Sequence, residues 1–295
     1  MVSNNKAAKV IMNLVMILLS LVCVIPLLIL LMSSITEEKT LIQYGYGLIP
    51  RKISFDAYTY IFRSGNTILH SYLMTIIVTS TGTLTNLVIT VMFAYALSRK
   101  QMVGRNVLAF YLFFTMIFNG GLVPTYIMWT QTFHIRDTIW ALIIPGLLLS
   151  PFNVILTRTF ITTNVPEEII ESARIDGANE MRTLLSVVVP LSKPIIATIG
   201  LMSGLAYWNN WTNGLYYLVR RTDLFTIQTV LNTMLKNAEF LKSEAAQTGI
   251  VLEMEVPSTG IRMAIACVAL IPILIIYPFI QKAFVRGIVI GGVKG

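Results

Sequence analysis

The sequence predicts an all-α, polytopic membrane protein with six transmembrane helices, and three observations carry that prediction. Of the 295 residues, 55% are hydrophobic and only 12% are charged, with a mean hydropathy of +0.74, more apolar than a soluble domain that must keep charge on its surface. Six apolar runs are long enough, or nearly so, to cross a hydrocarbon core of roughly 30 Å. The basic residues are divided unevenly among the segments that join those runs. No internal repeat or low-complexity stretch breaks the pattern, so 1–295 reads as a single transmembrane domain.

The first run, 10–32, holds no charged residue and as a helix would be about 34 Å long at roughly 1.5 Å per residue. Lys6 and Lys9 precede it as they would precede a cleaved leader, but the run is longer than a leader's apolar region. The SSITEEK that follows offers no small-residue cleavage site. The second and third spans are expected at 68–97 and 107–128. The fourth and fifth, 138–156 and 195–211, are marginal in length and contain Pro145 and Pro151, or Asn209 and Asn210. Neighbouring segments must therefore complete their backbone hydrogen bonding. The sixth run is 261–280.

Six crossings put both termini on one side, and charge says which. With the N-terminus in the cytoplasm, the inner segments take twelve of the 22 Lys and Arg and only five of the 14 Asp and Glu. The short loop SRKQMVGRN, with Arg99, Lys100 and Arg105, is the strongest vote, since short loops report orientation best. The net charge of +8 is then a matter of topology and requires no nucleic-acid partner. This leaves a cytoplasmic segment at 161–193 and a long extracytoplasmic one at 212–260.

Little in the chain suggests an enzyme. Cys23 and Cys267 fall inside apolar runs, where thiols act as small packing groups, and imply neither disulfide nor metal. His70 lies near the outer end of the second run and His134 in a short outer loop. Neither could activate Ser203, in GLMSG, at mid-membrane; that serine reads as a small helix-packing residue. No phosphate-binding G-x-x-x-x-G-K-[ST] occurs, and the terminal GGVKG has the wrong spacing. The runs are nearly free of ionisable residues, which counts against an ion-coupled secondary transporter.

Charge concentrates instead in EEIIESARIDGANEMRTLLSVVVPLSKP, starting at Glu167, with five carboxylates and three basic side chains. Pro166 suits the start of a helix, and Glu167 and Glu168 complement its positive N-terminus. The helix should run to Asp176 and stop at Gly177, the residue best able to adopt φ > 0. Ile169, Ile170 and Ala173 would share one face. Asp176 could then cap a second helix in which Met181, Leu184, Leu185 and Val188 line one side, until Pro190 and Pro194 end it. A solvated surface loop remains open as the alternative on physical grounds alone.

Glu171, Ser172, Ala173, Asp176, Gly177 and Ala178, with Pro190 beyond them, resemble the EAA loop of inner-membrane permease subunits in binding-protein-dependent ABC importers. Ser172 stands where the first alanine of the motif is usual. FNGGLVPTYIMW from Phe118, AYWNNWTNGLYYL from Ala206 and FVRGIVIGGVKG from Phe284 extend the resemblance over roughly the whole chain, to the carbohydrate-uptake branch of MalG-like and especially LplC-like permeases.

That resemblance implies an ABC importer type I permease fold in which 161–193 is a coupling loop docking on a separate ATPase, with Glu171 as charged contact and Gly177 as turn. It implies a second homologous permease chain in a heterodimer, two cytoplasmic ATP-binding subunits and an extracytoplasmic sugar-binding protein. ATP and magnesium would be held by the ATPases, leaving this chain without catalytic residues or cofactors of its own. The substrate implied is a carbohydrate, an oligosaccharide. The tail residues Gly291, Gly292, Lys294 and Gly295 are, by the same resemblance, candidates for contact with the ATPases.

Trp208, Asn209, Asn210 and Trp211 have the chemistry for sugar, rings for its apolar faces and amides for its hydroxyls. An interfacial aromatic belt, or packing, is favoured over direct sugar contact. Two alternatives of other classes stay open: a membrane assembly subunit that recruits a cytoplasmic partner without transporting, and a secondary transporter.

Overall fold

The computed structural model describes residues 6–63, 65–248, 259–272 and 274–275, and the described residues are mostly helical. They contain no β-strand beyond an isolated antiparallel bridge between Thr36 and Ile53. In chain order the helices are α1 (Lys6–Ser34), α2 (Glu38–Tyr44), α3 (Asp56–Phe62), α4 (Gly65–Ser98), α5 (Arg105–Ile117), α6 (Leu122–Ile127) and α7 (Trp140–Ile143), then α8 (Pro151–Asn164), α9 (Glu167–Ile175), α10 (Glu180–Thr183) and α11 (Val189–Leu191). They continue with α12 (Lys193–Trp208), α13 (Thr212–Tyr217), α14 (Ile227–Thr248) and α15 (Thr259–Pro272). The chain divides into two compact units, one made of Met1–Ile68 with Leu231–Ile273, the other of Leu69–Val230 with Leu274–Gly295.

In the first unit every described side chain of α1 from 9 to 28 is exposed, and nearly all are apolar, the character of a helix surrounded by lipid. The chain after it folds back: Glu37 N–H donates to the Lys52 carbonyl and Ser54 N–H to that of Ile35, both at 3.0 Å. Lys52 also pairs with Glu37 at 2.6 Å. Glu38 accepts from the amides of Thr259 and Gly260 at 2.9 and 2.7 Å, placing a carboxylate at the positive N-terminus of α15.

The second unit is organised along α4. Its helix α4 holds Asn66–Ser98, 33 residues long and apolar enough to cross a bilayer, which among the described residues is matched only by Lys9–Ser34 of the first unit, with 26. In the lower part of α4, Val91, Ala94, Tyr95 and Leu97 pack with Val154, Ile161, Ile170, Leu184 and Val188. Higher up, Met74 and Val78 pack with Leu142, Ile143, Tyr207 and Leu218. Helix α12 buries Ile195, Ile199, Ser203 and Tyr207, a stripe at intervals of four residues.

Two apolar runs are less continuous than the sequence suggests. The run 107–128 leaves α5 at Ile117 and turns by 117° before Leu122–Thr132, through Gly121 at φ +88° with the Asn119 side chain accepting from its amide at 2.9 Å. The run 138–156 is helical only to Ile143, passes through an irregular stretch holding Pro145 and Gly146 (φ +71°), and resumes at Pro151. Proline removes a donor and glycine admits the left-handed turn, so a helix cannot continue there. Glu180–Leu191 meets Lys193–Trp208 at 84°. The polar stretch expected as a loop at 212–260 holds α13 and α14, the latter started by an inward-facing set of Ile227, Val230 and Leu231. Of the expected sixth run, 276–280 lies outside the described residues, as do the tail candidates Gly291, Gly292, Lys294 and Gly295.

Candidate functional site

The charged island folds as two short helices about a glycine turn. Glu167 and Glu168 occupy the first turn of α9, as an N-terminal dipole favours, and Arg174 its last. Gly177 adopts φ +81°; its amide donates to the Arg174 carbonyl and that of Ala178 to the Ala173 carbonyl, each at 3.0 Å. This paired bonding satisfies the last carbonyls of the helix and needs a left-handed residue at its centre. A Cβ at Gly177 would meet nothing within 4 Å, so the requirement lies wholly in the backbone.

Two local expectations need correction. The second helix is capped by Asn179, whose side chain accepts from the Arg182 amide at 2.8 Å, whereas Asp176 ends α9. Two residues of turn, Gly177 and Ala178, carry the chain past any position from which Asp176 could reach those amides. The expected apolar face also divides: Leu184 and Val188 are buried, but Met181 and Leu185 are exposed. Leu184–Val188 forms a π-helical turn, whose extra residue rotates the preceding positions off the inward face. In α9, likewise, Ile170 is buried while Ile169 is exposed. The island therefore presents Ile169, Ile175, Met181 and Leu185 to the outside, Ile175 at 86% exposure, together with the exposed carboxylates of Glu168, Glu171, Asp176 and Glu180.

Glu180 and Glu167 also tie the island to the end of α4. The Tyr95 hydroxyl donates to Glu180 Oε2 at 2.6 Å, and Arg174 Nε donates to Glu180 Oε1 at 3.0 Å, reinforced by a second guanidinium contact. Lys100 reaches Glu167 at 2.9 Å. The tyrosine hydroxyl, with Arg174, holds the Glu180 carboxyl below the usual range. Lys100 does the same for Glu167, and Glu180 raises Arg174. Arg99, only 7% exposed, adds its field to both carboxylates; its Nε and one terminal nitrogen have no hydrogen-bond partner among the described residues.

A second polar centre surrounds the broken stretch after α7. Asn86, 1% exposed in the middle of α4, donates both amide hydrogens, to the carbonyls of Leu147 and Leu148 at 2.9 and 3.0 Å. It accepts from the Ser203 hydroxyl at 2.7 Å. Tyr207 donates to the Ile143 carbonyl at 2.9 Å and Asn213 to that of Pro145 at 3.0 Å. Four carbonyls released by the helix break thus find donors on α4, α12 and α13, the compensation that irregular backbone needs at membrane depth. Gly82 permits the closest of these approaches: a Cβ there would stand 2.5 Å from the Tyr207 ring.

The sugar candidates sit together at the end of α12. Trp208 is buried and Trp211 half-buried. The Asn209 amide donates to the Leu205 carbonyl at 2.9 Å, and Asn210 accepts from the Asn213 amide at 3.0 Å, so each amide has a partner in its own stretch of chain. Sequence reasoning passed over Tyr95, Glu180, Asn86 and Asn213. The signal for Asn86 was present, since an amide in the middle of a long apolar run must find partners. Tyr95 and Glu180 are 85 positions apart and nothing local links them.

The model for "binding-protein-dependent transport system inner membrane component" matches residues 88–290. The chain is 35% identical over 280 residues to the polygalacturonan/rhamnogalacturonan transport system permease protein YtcP of Bacillus subtilis (strain 168), covering 95% of this chain and 96% of that protein. It is 36% identical over 275 residues to the protein LplC of the same organism, covering 93% and 90%. Among solved structures it is similar to a chain of a bacterial ABC transporter involved in the import of the acidic polysaccharide alginate, with a TM-score of 0.74 at 28% identity over 96% of this chain and 99% of that one.

Proposed function

The chain belongs to the family of binding-protein-dependent transport system inner membrane components, and from that membership we propose that it is a permease subunit of an ATP-driven importer of carbohydrate, specifically of an oligosaccharide. The names of its relatives support a sugar substrate. In this reading ATP and magnesium belong to two partner ATPases, a binding protein delivers the sugar, and a second, homologous permease completes the pathway.

The observation that carries the reading is the outer face of the island, where exposed Ile169, Ile175, Met181 and Leu185 stand beside Glu168, Glu171 and Asp176. Large apolar side chains left exposed on a charged segment suit a protein partner better than water. Glu171, Ser172, Ala173, Asp176, Gly177 and Ala178 form the coupling contact to the ATPase, and the tail residues a second one. Six crossings, with both termini, 98–106 and 161–193 in the cytoplasm, complete the arrangement. Trp208, Asn209, Asn210 and Trp211 border the sugar pathway. A partner that binds this face differently before and after ATP hydrolysis is all that coupling requires.

The test is purification of the tagged chain followed by reconstitution. An ATPase and a second permease should accompany it, and oligosaccharide uptake should require ATP and the binding protein. Uptake that persists without the ATPase and collapses with an ion gradient would overturn the proposal.

A further inference from the structure

Resting on that reading, we infer that Tyr95, Glu180 and Arg174 form the mechanical joint through which motion of the island reaches the broken stretch after α7, with α4 as the rod between them. Glu180 is gripped from both sides: the Tyr95 hydroxyl at 2.6 Å belongs to α4, and the Arg174 Nε at 3.0 Å belongs to α9. One carboxylate thus binds the two helices of the island to each other and to α4. Lys100 and Glu167, 2.9 Å apart, add a second, more exposed tie on the same side.

Tyr95 and Asn86 lie on one uninterrupted helix, about 14 Å apart along its axis at roughly 1.5 Å per residue. Asn86 in turn holds the Leu147 and Leu148 carbonyls and the Ser203 hydroxyl, and Gly82, one turn further, abuts Tyr207. A displacement of the island that preserves the Glu180 contacts must therefore move α4, and α4 cannot move without disturbing the bonds that satisfy the irregular stretch. Tyr95 and Glu180 are positioning residues; the proposed contacts with the ATPase are made by Glu171 and the exposed apolar side chains of the island.

The experiment uses the complete transporter in proteoliposomes, measuring oligosaccharide taken up per ATP hydrolysed in wild type, Tyr95→Phe, Glu180→Gln and the double variant. Phe keeps the ring in its core position and Gln keeps the shape of the carboxylate, so a purely structural role predicts an unchanged ratio. Each single variant should lower uptake per ATP on the order of two- to thirtyfold, the range for a residue that carries coupling between sites. The double should be no worse than the worse single, because both break one joint. ATPase subunits should still co-purify in the wild-type proportion. An unchanged ratio in both single variants, losses that multiply in the double, or losses explained by missing ATPase would overturn the joint. A wild-type chain that recruits no ATPase would instead overturn the proposed function, and the joint with it.

Discussion

Replacing Asn86 by Leu, of similar size, tests whether the irregular stretch after α7 depends on side-chain donors. The change removes two bonds to the carbonyls of Leu147 and Leu148 and one from Ser203, at a site that is 1% exposed. If each bond contributes the modest average of about 0.6 kcal/mol found between membrane helices, the loss is about 2 kcal/mol. If both carbonyls are left dry and unpaired at about 1–3 kcal/mol each, the loss reaches about 2–6 kcal/mol. The expected drop in unfolding temperature in detergent, at matched scan rate, is therefore at least about 4 °C, taking about 2–4 °C per kcal/mol for a chain of this size. A shift below about 1 °C would refute the reasoning, since it would mean that these carbonyls have equally good partners without the amide. Asn86→Asp should rescue at most in part, because a carboxyl group keeps the acceptor for Ser203 but offers at most one hydrogen, when protonated, where the amide supplies two.

Gly82→Ala should destabilise by about 1–3 kcal/mol through overpacking, because the added carbon meets the Tyr207 ring at 2.5 Å, whereas Gly200→Ala, 3.4 Å from Leu87, should be nearly silent in the same thermal assay. Gly177→Val should leave membrane insertion intact but lower ATP-dependent uptake, and Gly177→Asn should retain more of it, as φ +81° suits Asn far better than a β-branched residue; equal uptake by the two at matched expression would contradict the turn argument. Glu171→Lys should reduce ATPase co-purification about tenfold or more by reversing an interfacial charge, while Glu180→Lys should retain the ATPase yet uncouple hydrolysis from uptake. Glu180 is held below the ordinary carboxylate range by Tyr95 and Arg174, so its contribution is full above that range and is lost only as pH falls through the lowered value. Uptake per ATP should thus be flat from about pH 6 to 8, and a decline centred inside that interval would exclude Glu180 as the controlling group.

The architecture was legible in the sequence wherever one residue dictates one local outcome. Gly177 had to be the turn because the chain reverses between two helical patterns and only glycine takes φ +81° without strain. Pro145 announced that the fourth apolar run could not satisfy its own backbone. What stayed hidden depended on partners distant in the chain. The π-helical turn at Leu184–Val188 shifts the phase of a pattern that counts residues as if every turn were alike, so Met181 and Leu185 were assigned inward and are exposed. Asp176 and Asn179 are both good helix caps by type, and only the path of the turn between them selects Asn179.

Glu171 and Glu180 show why composition could announce the island without dividing its labour. Both are carboxylates on short helices of one segment, and sequence resemblance gives weight to the first alone. Bonding separates them: both are exposed, but Glu180 is engaged by Tyr95 and Arg174. Under the proposed function the segment would both grip a partner and pull on its own helices, and the two carboxylates would divide those tasks. An outward carboxylate can lose its contact at each cycle because water replaces the partner. Glu180, although its side chain is 55% exposed, is tied at once to Tyr95 of the α4 core and to Arg174, so that water must replace two partners before it is released. In the proposed function, that asymmetry would make Glu171 the contact that opens and Glu180 the one that holds.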